Sequence, residues 1–314
     1  MLGPTVPVGE SESLPQEYPL VSDRIPVLFD TDIGSDIDDA VALAYLLAEP
    51  RCELVGITMV SGEPVERARL ASALCRAAGR NNVPIRAGWD HPLAVDPLQP
   101  ACPQKEILGR WAHRHDFDTG GTVTFMRDAI RARPGEITLL AVGPLTNLAV
   151  LFALDPELPS LLKELVLMGG VFTSKNAGAP RAEWNIVNDP HAAARVFKSR
   201  APKITAYGLD VTLRCRLDAE ECRRRFKGGA LAVVADMAEV WFRKAGQITF
   251  HDPLAAVSLF HPTTCTLAAG RVEVELAPGR PAGMTYFTAD PAGRHHVALE
   301  VDVPKFFERY FGVF

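Results

Sequence analysis

The chain has 314 residues, 47% apolar and 23% charged, an ordinary globular composition with enough apolar residues for a sizeable core. A formal net charge of −5 argues against a nucleic-acid polymer or an anionic membrane as the main partner, and no run of about 18 apolar residues offers a membrane span. The six cysteines (Cys52, Cys75, Cys102, Cys215, Cys222, Cys265) are scattered without a Cys-x-x-Cys pair, which points to a reducing, cytoplasmic setting and excludes a disulfide framework or a zinc site.

Residues 1–23 are rich in Pro, Glu and Ser and lack a basic segment followed by an apolar one. They read as a flexible extension, not a secretory signal. From residue 24 onward, apolar runs alternate with helical patterns. Strands are expected at 26–30, 53–60, 83–87, 137–142, 165–168 and 203–207, with helices at 37–48, 64–78, 122–132, 145–154, 190–199 and 231–245. The strand runs are continuously apolar, as parallel strands covered on both faces must be. Segment 89–121 carries Pro92, Pro97, Pro100 and Pro103 and is long enough for a lid, a wall of a site or a surface excursion. Beyond Pro262 the pattern alternates at 271–277, 284–289 and 296–303, which predicts an antiparallel addition closed by a helix at 304–310. The expectation is one α/β domain over 24–314, with a mostly parallel, doubly covered, Rossmann-like sheet and a C-terminal antiparallel addition.

In such a sheet, ligands bind beyond the carboxyl ends of the strands. Past the first strand come Asp30, Asp32, Asp36, Asp38 and Asp39, five acids in ten residues. They repel one another unless a hard cation such as Ca²⁺ or Mg²⁺ sits among them, or several turn to water. Helix capping by Asp36 and first-turn placement of Asp38 and Asp39 would account for some of them. It does not accommodate Asp30 and Asp32 on the strand end. Asp38 and Asp39 point about 100° apart on a helix, so one can serve a metal and the other a substrate hydroxyl.

Ser61-Gly62-Glu63 follows the second strand, and Asn147 begins a helix in a structural position. In an extended segment Glu183 and Asn185 would face the same way, with Trp184 packed away from them, and such a pair suits the vicinal hydroxyls of a sugar. His251-Asp252-Pro253 opens a late helix.

The acidic stretch resembles that of the nucleoside hydrolases. So do Val142-Gly143-Pro144-Leu145-Thr146-Asn147, Met168-Gly169-Gly170, Glu183-Trp184-Asn185 followed by Asn188-Asp189-Pro190, and His251-Asp252-Pro253-Leu254-Ala255, all in order. The resemblance implies the nucleoside hydrolase fold and cleavage of the N-glycosidic bond of a ribonucleoside or related riboside to free ribose and base. It further implies Ca²⁺ held by Asp32, Asp39, the carbonyl of Val142 and Asp252. Asp32 would double as general base, Asp38, Asn176, Glu183 and Asn185 would grip the ribose, and His251 would stand near the leaving base. Glu63 takes the place of an asparagine that relatives use near the substrate. A homodimer or homotetramer is implied as well. This chain departs from the shorter motif Asp-x-Asp-Pro-Gly-x-Asp-Asp by two extra residues, which add Asp36, and by Ile33 in place of proline. Two alternatives remain. One is a phosphohydrolase of the haloacid dehalogenase type, with Asp30 as nucleophile. The other is a non-catalytic sugar- or nucleoside-binding member of the same fold.

Overall fold

The computed structural model describes residues 24–173, 180–277 and 281–314, so the extension at 1–23 and the candidate Asn176 lie outside the described residues. In chain order the elements are β1 (Ile25–Thr31), α1 (Asp38–Ala48), β2 (Cys52–Met59), α2 (Pro64–Ala77), β3 (Ile85–Arg86), α3 (Thr122–Ala132), β4 (Thr138–Ala141) and α4 (Thr146–Leu154). There follow β5 (Glu164–Met168), α5 (Trp184–Asn188), α6 (Pro190–Phe197), β6 (Ile204–Tyr207), α7 (Leu209–Thr212), β7 (Arg216–Asp218), α8 (Ala219–Arg225) and α9 (Gly229–Phe242). The chain closes with β8 (Gln247–Thr249), α10 (His251–Phe260), β9 (Cys265–Val274), β10 (Thr285–Ala289), β11 (His295–Val301) and α11 (Val303–Phe311).

Among the described residues nine strands form one sheet in the order β10-β9-β11-β6-β5-β4-β1-β2-β3. From β11 to β3 every neighbouring pair is parallel. Of the three C-terminal strands only β9 runs against the rest; β11 lies parallel to β6, so the addition is antiparallel at β9 alone. The chain winds outward from β1 in both directions, through β2 and β3 on one side and β4 to β6 on the other. The β1/β4 boundary is therefore a topological switch point, where a crevice opens beyond the strand ends.

Successive residues of β1 feed different faces. Val27 and Phe29 pack with α1, α2, α9 and α10, whereas Leu28 packs with α3, α4 and α6. That double burial is why the strand reads as continuously apolar. The two-stranded ribbon of β7 and β8, with short α7 and α8, has no counterpart in the sequence expectations, because segments of three to seven residues carry too little periodicity. All six cysteines are free and buried. Among the described residues no helix is long and apolar enough to cross a membrane.

The C-terminal helix is pinned by aromatics. Phe250, Phe306 and Tyr310 are fully buried; the Phe250 and Tyr310 rings lie 5.4 Å apart, and Tyr310 Oη donates to the Val41 carbonyl of α1 at 3.0 Å. This packing holds the start of α10 against the start of α1, which matters for the site below. Truncating Phe306 to Ala should cost about 3–5 kcal/mol in urea unfolding, because the rings around it cannot collapse into the gap.

Candidate active site

Four chain segments converge beyond the switch point. The turn after β1 brings Asp32 and Asp36, the first turn of α1 brings Asp38 and Asp39, the entry to α5 brings Glu183, and the first turn of α10 brings Asp252. These six carboxylates line one cavity of about 760 Å³. Ligand atoms of Asp38, Asp39 and Asp252 lie within 4.8 Å of one another. The Asp252 backbone N–H donates to Asp38 Oδ2 at 3.1 Å, tying α10 to α1. An all-oxygen cluster this tight fits a hard divalent cation.

Asp32 stands at the strand end as expected, and its carboxylate is gripped. Gln99 donates to Oδ2, and a methyl group added at Gly143 would sit 2.8 Å from Oδ1. Asp39 Oδ1 accepts from the Thr31 hydroxyl and from the Asp32 N–H at 3.2 Å. Val142 lines the cavity, and its carbonyl accepts from Asn185 Nδ2 at 2.7 Å. His251 also lines the cavity, with Nδ1 2.7 Å from Thr212 Oγ1.

Two expected arrangements differ. Glu183 and Asn185 do not share an extended segment. Glu183 is the N-cap of α5, its carboxylate accepting from the N–H groups of Asn185 at 2.8 Å, Ile186 at 3.1 Å and Gly170 at 3.2 Å. The free N–H groups of a helix start outcompete extension, and Trp184 consequently turns toward the cavity instead of away from it. Glu63, expected among the substrate-binding residues, does not line the cavity. It adopts a left-handed conformation (φ 58°), pairs with Lys105 and accepts from Cys102 N–H at 2.8 Å, so it secures the 89–121 segment. That segment forms a wall of the cavity through Leu98 to Ala101 and Pro103.

Sequence reasoning missed Arg67 and Gln99. Arg67, fully buried, donates to Gly62 O at 2.8 Å, Ile33 O at 3.0 Å, Ser35 Oγ at 3.0 Å, Ala101 O at 3.1 Å and the Asp32 carbonyl. The signal available for it was an arginine on the inward face of a helix whose neighbours are apolar. Gln99 joins Asp32 to the Trp184 indole, whose N–H it accepts at 2.7 Å, and nothing in its loop context marks it. Asp30 is fully buried and outside the cavity lining, bonded to the Thr58 hydroxyl and to Asn147 Nδ2 at 2.7 Å. A nucleophile in that position could not reach a substrate, which counts against the phosphohydrolase alternative.

Burial dominates the electrostatics. It pushes Asp30 and Glu183 up to about 7 and Asp36 to about 6, and holds Asp38, Asp39 and Asp252 well above the usual carboxylate range, where mutual repulsion adds to it. Burial lowers His251 to about 4, so its imidazole is neutral near pH 7.

A profile of the family described as "Inosine-uridine preferring nucleoside hydrolase" matches residues 27–308. The chain belongs to the nucleoside hydrolase family. It is a nucleosidase, an enzyme of N-glycosidic hydrolysis. This nucleoside hydrolase is 33% identical to the non-specific ribonucleoside hydrolase RihC of Escherichia coli O7:K1 over 299 residues, covering 90% of this chain and 96% of that one. It is 32% identical to uridine nucleosidase 1 of Arabidopsis thaliana, covering 79% and 78%. A solved purine-preferring ribonucleoside hydrolase from Gardnerella vaginalis superposes with a TM-score of 0.78 at 27% identity, covering 92% of this chain and 97% of that one.

Two outcomes follow from the site's charge balance. Acids whose folded pKa stands near 7 hold protons that the unfolded chain releases near 4, so each favours the folded state more as pH falls from about 7.5 to about 5. The melting temperature of the chelator-treated nucleoside hydrolase should therefore rise across that window, and added divalent cation should raise it more at pH 7.5 than at pH 5.5. Replacing Arg67 by Met should cost about 3–5 kcal/mol in denaturant unfolding, because it removes the buried cation and leaves its carbonyl partners unmet.

Proposed function

We propose that this nucleoside hydrolase cleaves ribonucleosides to free ribose and base with Ca²⁺ in the acidic cavity. The observation that carries the reading is the buried Asp38, Asp39 and Asp252 cluster beside Asp32 at the switch point, in a chain of this family. Asp32, Asp39, Asp252 and the Val142 carbonyl would hold the ion; its charge would let these acids stay ionised together and would acidify a water in the cavity.

The chain's own groups supply the rest. Asp32 is the base that accepts the proton of the attacking water. Its carboxylate is oriented by Gln99 and by the close approach of Gly143. Asp38, Glu183 and Asn185, together with Asn176, take the ribose hydroxyls. Glu183 is held rigid by three backbone N–H groups and Asn185 by the carbonyls of Val142 and Met168. The surrounding carboxylates favour the positive charge that builds on the sugar ring as the N-glycosidic bond breaks. His251, neutral and aimed by Thr212, faces the departing base as a hydrogen-bonding group. Glu63 acts through the loop it anchors. A cytoplasmic homodimer or homotetramer completes the reading.

The test is a panel of ribonucleosides assayed for free ribose with and without chelator. Release should stop on chelation and return with Ca²⁺. Asp32→Asn should bind ribose or nucleoside, read by tryptophan fluorescence, while kcat falls about 10³-fold or more. A wild-type enzyme that releases ribose from no member of the panel would sink the proposal.

A further inference from the structure

Among the described residues the cavity lining is electrically one-sided except at a single point. Among its described lining residues there are six carboxylates, and Lys244, just past the end of α9, is the one Lys or Arg side chain. Within the described residues the Lys244 side chain has neither an ion-pair partner nor a hydrogen bond. Its neighbour Arg243 is already spent on Glu106, which it meets at 2.8 Å, so the helix end is tied to the 89–121 wall through Arg243 and Lys244 is left for the cavity. The Lys244 Nζ stands 5.8 Å from the centre of the Trp241 ring, and the Trp241 N–H donates to Gln247 O at 3.0 Å, which fixes the plane of the indole. Trp241 lines the same cavity with Leu209 and Leu213, giving an aromatic surface and apolar contacts beside the Lys244 ammonium.

Both this end and the aspartate cluster act on Asp36, which the chain adds to the shorter acidic motif. It lines the cavity and is reached electrostatically by both Asp32 and Lys244. The cavity lining therefore combines an acidic cluster with a single described cation, and Asp36 is within electrostatic reach of both.

Breaking an N-glycosidic bond separates charge in the same sense. The sugar ring becomes positive while the departing base gains the bonding electron pair. In a base bearing ring carbonyls, that pair is delocalised onto the carbonyl oxygens, where a fixed cation gains most in the transition state. We infer that Trp241 and Lys244 form a leaving-group subsite, Trp241 stacking on the base and Lys244 donating to a ring carbonyl oxygen as negative charge develops there. This rests on the nucleosidase reading of the same cavity and adds a residue to its chemistry. The N-glycosidic bond breaks with both electrons leaving on the base, water supplies the hydroxyl to the sugar carbon, and its proton passes to Asp32.

The test compares leaving groups that need help with one that does not. Wild type, Lys244→Met and Lys244→Arg are assayed on uridine, inosine and 4-nitrophenyl β-D-ribofuranoside, whose nitrophenolate already spreads its own charge. Lys244→Met should lower kcat on uridine and inosine about 100-fold while changing the aryl riboside by less than about threefold, and Lys244→Arg should recover most of the loss. Equal losses on all three substrates, or a loss below about threefold on the nucleosides, would overturn the inference. So would a wild-type enzyme that cleaves the aryl riboside but neither nucleoside, and that result would leave the ribosidase reading standing. Failure of the wild type on all three substrates would remove the nucleosidase reading beneath it. Lys244 is exposed at a helix end, so an unchanged melting temperature separates lost chemistry from lost folding.

Discussion

The structure depends on one buried arginine. Arg67 crosses from α2 to the turn after β1 and donates to the backbone carbonyls of Asp32 and Ile33 and to Ser35, as well as to Gly62 and Ala101. That turn must change direction within a few residues while presenting carboxylates to one side. Gly34, at φ +113° and packed against Cys102, permits the bend, and the guanidinium holds its carbonyls together. Arg67 is also a counter-charge for Asp32 and Asp39, both of which its field pulls back toward ionisation. Packing and electrostatics are thus served by the same side chain, and the 89–121 wall is drawn in through Ala101.

Around that anchor the fold creates a deliberate imbalance. Among the described residues six carboxylates line a cavity whose walls are mostly apolar, and burial makes their simultaneous ionisation costly. Left to itself the protein answers with protons; a bound cation answers with charge. The same imbalance is useful for a reaction that generates a cationic sugar ring, since the field is in place before the bond begins to break. Backbone groups hold Glu183 and Asn185 in fixed orientations at the cavity.

Glu63 and Gln99 illustrate how position overrides residue type. Glu63 sits at a strand end, where ligands bind, yet its left-handed backbone turns the side chain toward Lys105 and Cys102 and away from the cavity. Gln99 comes from a proline-rich loop with no motif, yet it meets both Asp32 and Trp184. Neither result follows from local spacing, because each depends on where a 33-residue excursion (89–121) lands on the sheet.

Much of this protein was legible in the residues themselves. Continuous apolar runs with helical patterns between them dictate a doubly covered parallel sheet, since only burial on both faces tolerates such strands. The crowding of Asp30 to Asp39 at a strand end, with His251-Asp252 at a late helix start, pointed to an acidic cavity because charges that close require a cation or water. Tertiary structure decided the division of labour. Asp30 was turned inward to Thr58 and Asn147, Asp38 joined Asp39 and Asp252, and Glu183 became a helix cap with Trp184 at the cavity. It also brought Arg67, Gln99 and Lys244 to the site from segments far apart in the chain. Local sequence encodes periodicity and local hydrogen-bond competition; which distant side chains share a cavity is set by how the sheet winds outward from β1.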